Sequence, residues 1–139
     1  MRMKHNFGSS LKQLLLFGLV TFCGGAFAQS PSWSINPNSF QYSMSATAVL
    51  DLNCTELTSP SNRIGAFVNG TLRGTGFTSS VIGGRYQASI LVYSNSVSGE
   101  NVTFRFYEQA SNSVYSSIDS VAFQDNAIYG NPALPIVGL

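Results

Sequence analysis

The sequence predicts an all-β protein: an antiparallel two-sheet β-sandwich of the immunoglobulin-like kind, with about seven strands, following an N-terminal signal peptide. Three observations carry this. Phe40 to Asn53 places Phe40, Tyr42, Met44, Ala46, Ala48, Leu50 and Leu52 at every second position, a period of two that belongs to a strand with one face in the core and one in water. Asn69-Gly70 stands between two extended runs and marks a type I′ hairpin, because that turn needs positive φ at both central residues. No stretch after the leader has helical spacing, while turn residues recur at short intervals. Two packed antiparallel sheets bury many half-apolar strands most simply, and a closed barrel is the lesser alternative.

The elements follow in order. Met1-Arg2-Met3-Lys4 precedes an apolar run from Leu14 to Phe22 and an Ala26-Phe27-Ala28 ending. A positive start, a short apolar centre and an A-x-A end predict a signal peptide over residues 1–28 and a single domain over 29–139. After the long strand, Thr58 to Asn62 reads as a loop. Ile64–Val68 and Thr71–Gly74 form the hairpin about Asn69-Gly70. Gly83-Gly84 turns the chain into a strand from Tyr86 to Tyr93, and Ser94 to Glu100 is a polar loop. Val102, Phe104 and Phe106 then alternate with Thr103 and Arg105. Shorter extended pieces are expected at Val114–Ile118 and Val121–Phe123, and an irregular tail closes on Ile136-Val137. There is no internal repeat.

Cleavage after Ala28 removes the only histidine, His5, and both lysines, Lys4 and Lys12. It leaves 111 of 139 residues, with four arginines against six carboxylates. So sparse and slightly acidic a chain excludes a basic groove for nucleic acid and a polybasic membrane patch, and no later stretch is apolar enough for a membrane span. Solubility must come from hydroxyls and amides, and regularly placed aromatic and β-branched residues argue against disorder. Cys23 falls in the leader, where the bulky Phe22 before it argues against lipid attachment. Cys54 is then a lone thiol, expected to be a small buried hydrophobe, and no disulfide framework holds the domain.

Several short stretches together resemble a known module. Trp33-Ser34-Ile35-Asn36-Pro37 is followed by Phe40 to Met44, then by Ile64-Gly65-Ala66-Phe67-Val68 and Arg73-Gly74. Gly99-Glu100 with Thr103-Phe104 and Tyr107 comes next, and Tyr129-Gly130 closes the series. Their order resembles a β-sandwich module recurrent in secreted and cell-surface proteins of Bacteroidota, over nearly all of the expected mature chain. The resemblance implies export to the cell surface, the extracellular space or the periplasm, although the sequence shows no type 9 sorting domain. It implies no biochemical activity. Asp119-Ser120-Val121 also resembles an O-glycosylation triplet of that phylum. Asn53, Asn69 and Asn101 open N-x-S/T triplets that read as by-products of a polar surface.

Within the motif, Gly65 and Gly74 are expected to permit a bulge or close contact with an aromatic neighbour. Arg73 is placed to pair with Glu100 or Asp51 at a sheet rim, or to serve as a ligand-facing fork. Trp33 either plugs one end of the core or offers a ring for sugar stacking, and its place before Asn36-Pro37 favours the plug. Tyr115 and Tyr129 are expected to face solvent and to be the better carbohydrate contacts. Asp51, Asn53, Glu56 and Asn62 cluster oxygen donors without EF-hand spacing, so a solvated loop is expected rather than a metal site.

No cofactor is expected, and no catalysis. The nucleophile–histidine arrangements have no base, and Glu100 with Glu108 or Asp51 forms no evident glycosidase pair. The sequence therefore points to a non-catalytic binding or adhesion module. Its protein or glycan partner would meet the end loops Thr55–Asn62, Thr78–Gly84 and Ser94–Glu100. The alternative is a structural subunit of a larger surface complex, or a self-associating one, joined through sheet edges that no lysine guards.

Overall fold

The computed structural model describes residues 30–80 and 84–138, and the expected leader lies outside them, as do Gln29, Gly83 and Leu139. The described residues are all-β. Among them a 3₁₀ turn at Pro37–Ser39 precedes nine strands: β1 Tyr42–Leu52, β2 Thr55–Glu56, β3 Arg63–Val68, β4 Thr71–Ser80, β5 Tyr86–Ser94, β6 Ser98–Glu108, β7 Ser113–Gln124, β8 Ile128–Tyr129 and β9 Ile136–Gly138. Hydrogen bonding runs antiparallel through β2-β1-β5-β4-β3-β6-β7, while β8 and β9 add to β1 in parallel. No helix among the described residues is long and apolar enough to cross a membrane.

The alternation in β1 is realised. Met44, Ala46, Ala48 and Leu50 enter the core, where they meet Ile64 and Ala66 of β3, Ile90 and Val92 of β5, and Phe104 and Phe106 of β6. The other face of β1 is drier than expected, since Val49 is fully buried. The tail runs beside this strand: β9 pairs with Ala48 to Leu50, and the Gln87 side chain on β5 donates a hydrogen bond of 2.8 Å to the Pro132 carbonyl. The tail expected to be irregular thus adds two short strands to β1.

The sheet curls because of β4. Its first part pairs with β3, and Thr78 to Ser80 pair with β5. Within the part paired with β3, a side chain on Gly74 or Gly76 would run into the β5 carbonyls of Leu91 and Ser89. Only glycine lets two backbones come this close. A bulge sharpens the bend: Ala66 faces Gly74 while Phe67 faces Leu72, which leaves Arg73 as the extra residue.

The turns separate into readable and unreadable ones. Asn69 and Gly70 have φ of 49° and 79°, the expected type I′ hairpin. Asn53 and Cys54 make a second two-residue turn of the same sign, with φ of 53° and 63°, joining β1 to β2. Cys54 is therefore exposed rather than buried, because the tip of a tight turn points away from the sheet. The two pieces expected at Val114–Ile118 and Val121–Phe123 are one twelve-residue strand. Its bulge sets Ser117 to Asp119 against the single Phe104, and the Ser117 hydroxyl accepts the Asp119 N–H at 3.0 Å. The expected polar loop Ser94 to Glu100 is shorter too, since β6 begins at Ser98.

Candidate functional site

The motif residues divide between core, turn and rim. Met44, Ile64, Ala66 and Phe104 are core side chains. Asn36 caps the 3₁₀ turn by accepting the Asn38 N–H at 3.2 Å, and Pro37 starts it. Gly99, at φ of 92°, lies in a bulge where Gly99 and Glu100 together face Phe123. Tyr107 is buried, and its hydroxyl donates to the Asn112 side chain at 2.8 Å. That bond braces the β6–β7 turn, in which Asn112 has positive φ.

Arg73 takes the rim position expected of it and selects Glu100, not Asp51. Their Nη2 and Oε1 atoms lie 3.3 Å apart, with side chains 17% and 23% exposed. The other Glu100 oxygen accepts the Ser94 hydroxyl, whose oxygen accepts the Ser96 N–H at 2.8 Å. The Arg73 guanidinium also lies 5.3 Å from the centre of the Phe40 ring, which stacks on Tyr93. This network ties β4 to the starts of β1 and β6. The Glu100 ion pair and the Phe40 ring hold the Arg73 side chain largely out of solvent, with its Nε buried and unpartnered.

The two tyrosines are less free than expected. Tyr115 is half-buried, stacked on Phe106 at 5.5 Å, with its hydroxyl 3.2 Å from that of Ser111. Tyr129 is half-buried, and its hydroxyl donates to the Ala122 carbonyl at 2.7 Å. Both rings pack beside the core, Tyr115 as the cross-strand partner of Phe106 and Tyr129 from the short strand that adds to β1. Arg73, Tyr115 and Tyr129 do not converge on one surface: Arg73 is at the rim with Glu100, whereas Tyr115 pairs with Phe106 far along β6.

The oxygen-rich loop is similarly committed. Glu56 accepts Arg85 Nε at 2.9 Å and the Tyr86 N–H at 2.8 Å, which together hold its carboxyl below the usual glutamate range. Asn62 is buried and accepts the Gln109 N–H at 3.0 Å. Between this loop and the end of β6 runs an open groove of about 210 Å³, bordered by Thr58, Ser59, Glu108 and Ala110.

Trp33 holds a place that the sequence did not reveal. It does not plug the core. Its ring lies on the outer face of the sheet, 3.1 Å from where a Gly65 side chain would begin, with its edge toward Phe67 at 5.7 Å. Gly65 therefore has the expected aromatic contacts, on both sides. Around the indole stand two further arginines. Arg105, directly across from Gly65, stacks on Phe67 at 4.6 Å. Arg63, two residues along β3, stacks on Phe77 at 4.6 Å and donates to the Pro31 carbonyl at 2.9 Å. Cross-strand register alone assembles this group, which is why composition could not show it.

Set against protein-family models, curated proteins and solved structures, the chain matches none. What the fold and its surface define is a small all-β domain with two arginines held in ion pairs and two others, without a carboxylate partner among the described residues, lying against aromatic rings.

Proposed function

We propose that this is an exported, non-catalytic binding module with a two-sheet β-sandwich architecture, akin to the module of Bacteroidota surface proteins that its motifs resemble. The observation that carries the reading is where the reactive side chains are spent. Residues 29–139 contain no histidine or lysine. Glu100 is held by Arg73 and Ser94, Glu56 by Arg85, and Glu108 by Ser111 at 2.5 Å. Groups fixed this way maintain geometry and are poorly suited to shuttling protons. A rigid frame with polar loops and an aromatic–arginine face is suited instead to holding a glycan or protein partner.

A second reading, a subunit joined through its edge, is favoured by β7. Its ladder partner is β6 alone, it carries one charge in twelve residues, and Ile118 is 84% exposed. Such an edge accepts an added strand. Light scattering after size exclusion, with capture of partners from native membranes, separates the two. A monomer retained by immobilised glycan, or recovered with a partner while its β7 edge variants still bind, supports the module. Self-association lost on Ile118→Lys supports the subunit reading.

A further inference from the structure

We infer that the outer face of β3 and β6 is a binding site for an anionic saccharide, one carrying uronate carboxylates or sulfate esters, with Trp33, Arg63 and Arg105 as its contacts. This rests on the binding-module reading and moves the site from the end loops to the sheet face. Charge is the first argument. Arg73 and Arg85 have carboxylate partners, but among the described residues no carboxylate lies within ion-pair distance of Arg63 or Arg105. Both guanidiniums lie against aromatic rings at 4.6 Å, which fixes their orientation and leaves N–H donors unused. Arg105 makes no side-chain hydrogen bond among the described residues, and Arg63 uses one Nη to hold Pro31. An oriented guanidinium fork matches a carboxylate or sulfate in two parallel hydrogen bonds.

The second argument is the ring between them. Trp33 is half-buried on Gly65, with Arg105 directly across from Gly65 on β6 and Arg63 two residues from Gly65 along β3. The apolar face of a sugar ring packs on an indole, while flanking cations take its acidic groups. An acidic peptide has the charge but no flat apolar ring to match. Gly65 is needed for this seat, because a side chain there would overlap Phe67 at 2.9 Å and lift the indole.

Trp33 is the only tryptophan in the chain, so its fluorescence reports on this face directly. The protein is titrated with uronate oligomers, dextran sulfate, neutral dextran and polyglutamate, at low and high salt. A saturable emission change with uronate, sulfate or both is expected, weakened by salt. Neutral dextran should produce none. Arg63→Gln and Arg105→Gln should each weaken binding about tenfold, the loss typical of one charge-assisted hydrogen bond, with melting temperatures near the parent's. No saturable change with either anionic saccharide, equal binding of polyglutamate, or full affinity in both arginine variants overturns the inference. Saccharide retained on a column without any change in Trp33 emission overturns this site while leaving the binding-module reading standing.

Discussion

Replacing Gly74 with alanine tests the curl on which every surface described above depends. The added methyl would overlap the Leu91 carbonyl of β5 and approach the backbone at Val92. These are main-chain atoms in a paired strand and cannot swing aside as a side chain would. Overpacking of this kind costs about 3 kcal/mol, offset by about 0.7 kcal/mol because alanine narrows the unfolded ensemble. A net loss of about 2 kcal/mol corresponds to a melting temperature lower by about 10 °C for a domain near this size. Gly70→Ala is the control. Gly70 has φ of 79° and no atom within 4 Å of the added carbon, so it should lose only about 1 kcal/mol, from backbone strain. Urea unfolding followed by Trp33 emission measures both. If Gly74→Ala unfolds within 0.5 kcal/mol of the parent, an order-of-magnitude threshold for a neutral change, then β4 and β5 are not in backbone contact and the curl is wrongly described.

Other outcomes follow from the same geometry. Phe106→Ala removes a side chain 1% exposed and stacked on Tyr115, and should cost about 4 kcal/mol in urea denaturation. Cys54→Gly replaces a side chain held at φ of 63° with a residue that adopts this conformation freely, and should raise stability by about 1 kcal/mol in the same assay. Glu56 has its pKa lowered by Arg85 and the Tyr86 N–H, so its contribution is fully present above the unfolded value and is lost as pH falls through the lower folded one. Comparing Glu56→Gln with the parent from pH 7 to pH 3, the stability gap should hold down to about pH 4.3 and shrink below it. A gap that widens on acidification would contradict the assignment.

Much of the fold was legible because its signals are local. The period of two in β1 fixes its inward face, and Asn69-Gly70 specifies a turn that few other pairs accept. Where the signal was absent or non-local, the reading stopped. Cys54 carries no preference for positive φ, so nothing in the sequence separates β1 from β2. The bulge at Ser117 to Asp119 shifts the alternation midway through β7, which made one strand read as two. β8 and β9 pair with a strand some eighty residues earlier, and no short window contains such a partner.

The site divides along the same line. The pairing of Arg73 with Glu100 was legible because both belong to one motif and opposite charges are few. The seat of Trp33 was not, since it depends on Gly65 facing outward opposite Arg105, a fact of register. Tyr115 and Tyr129 were expected to face solvent, but the Tyr115 ring stacks on its cross-strand partner Phe106 and the Tyr129 hydroxyl bonds the Ala122 carbonyl, contacts set by strand register and by the tail's return to the sheet.

The most direct test of the account is a nitrogen-15 NMR titration of the protein with a uronate oligomer. The Trp33 indole N–H and the Arg63 and Arg105 Nε–H resonances should move together and saturate, with the oligomer intact at the end. Shifts confined to the Thr58–Asn62 and Ser94–Val97 loops, or a shortened oligomer, would contradict a binding surface on the sheet face of a non-catalytic domain.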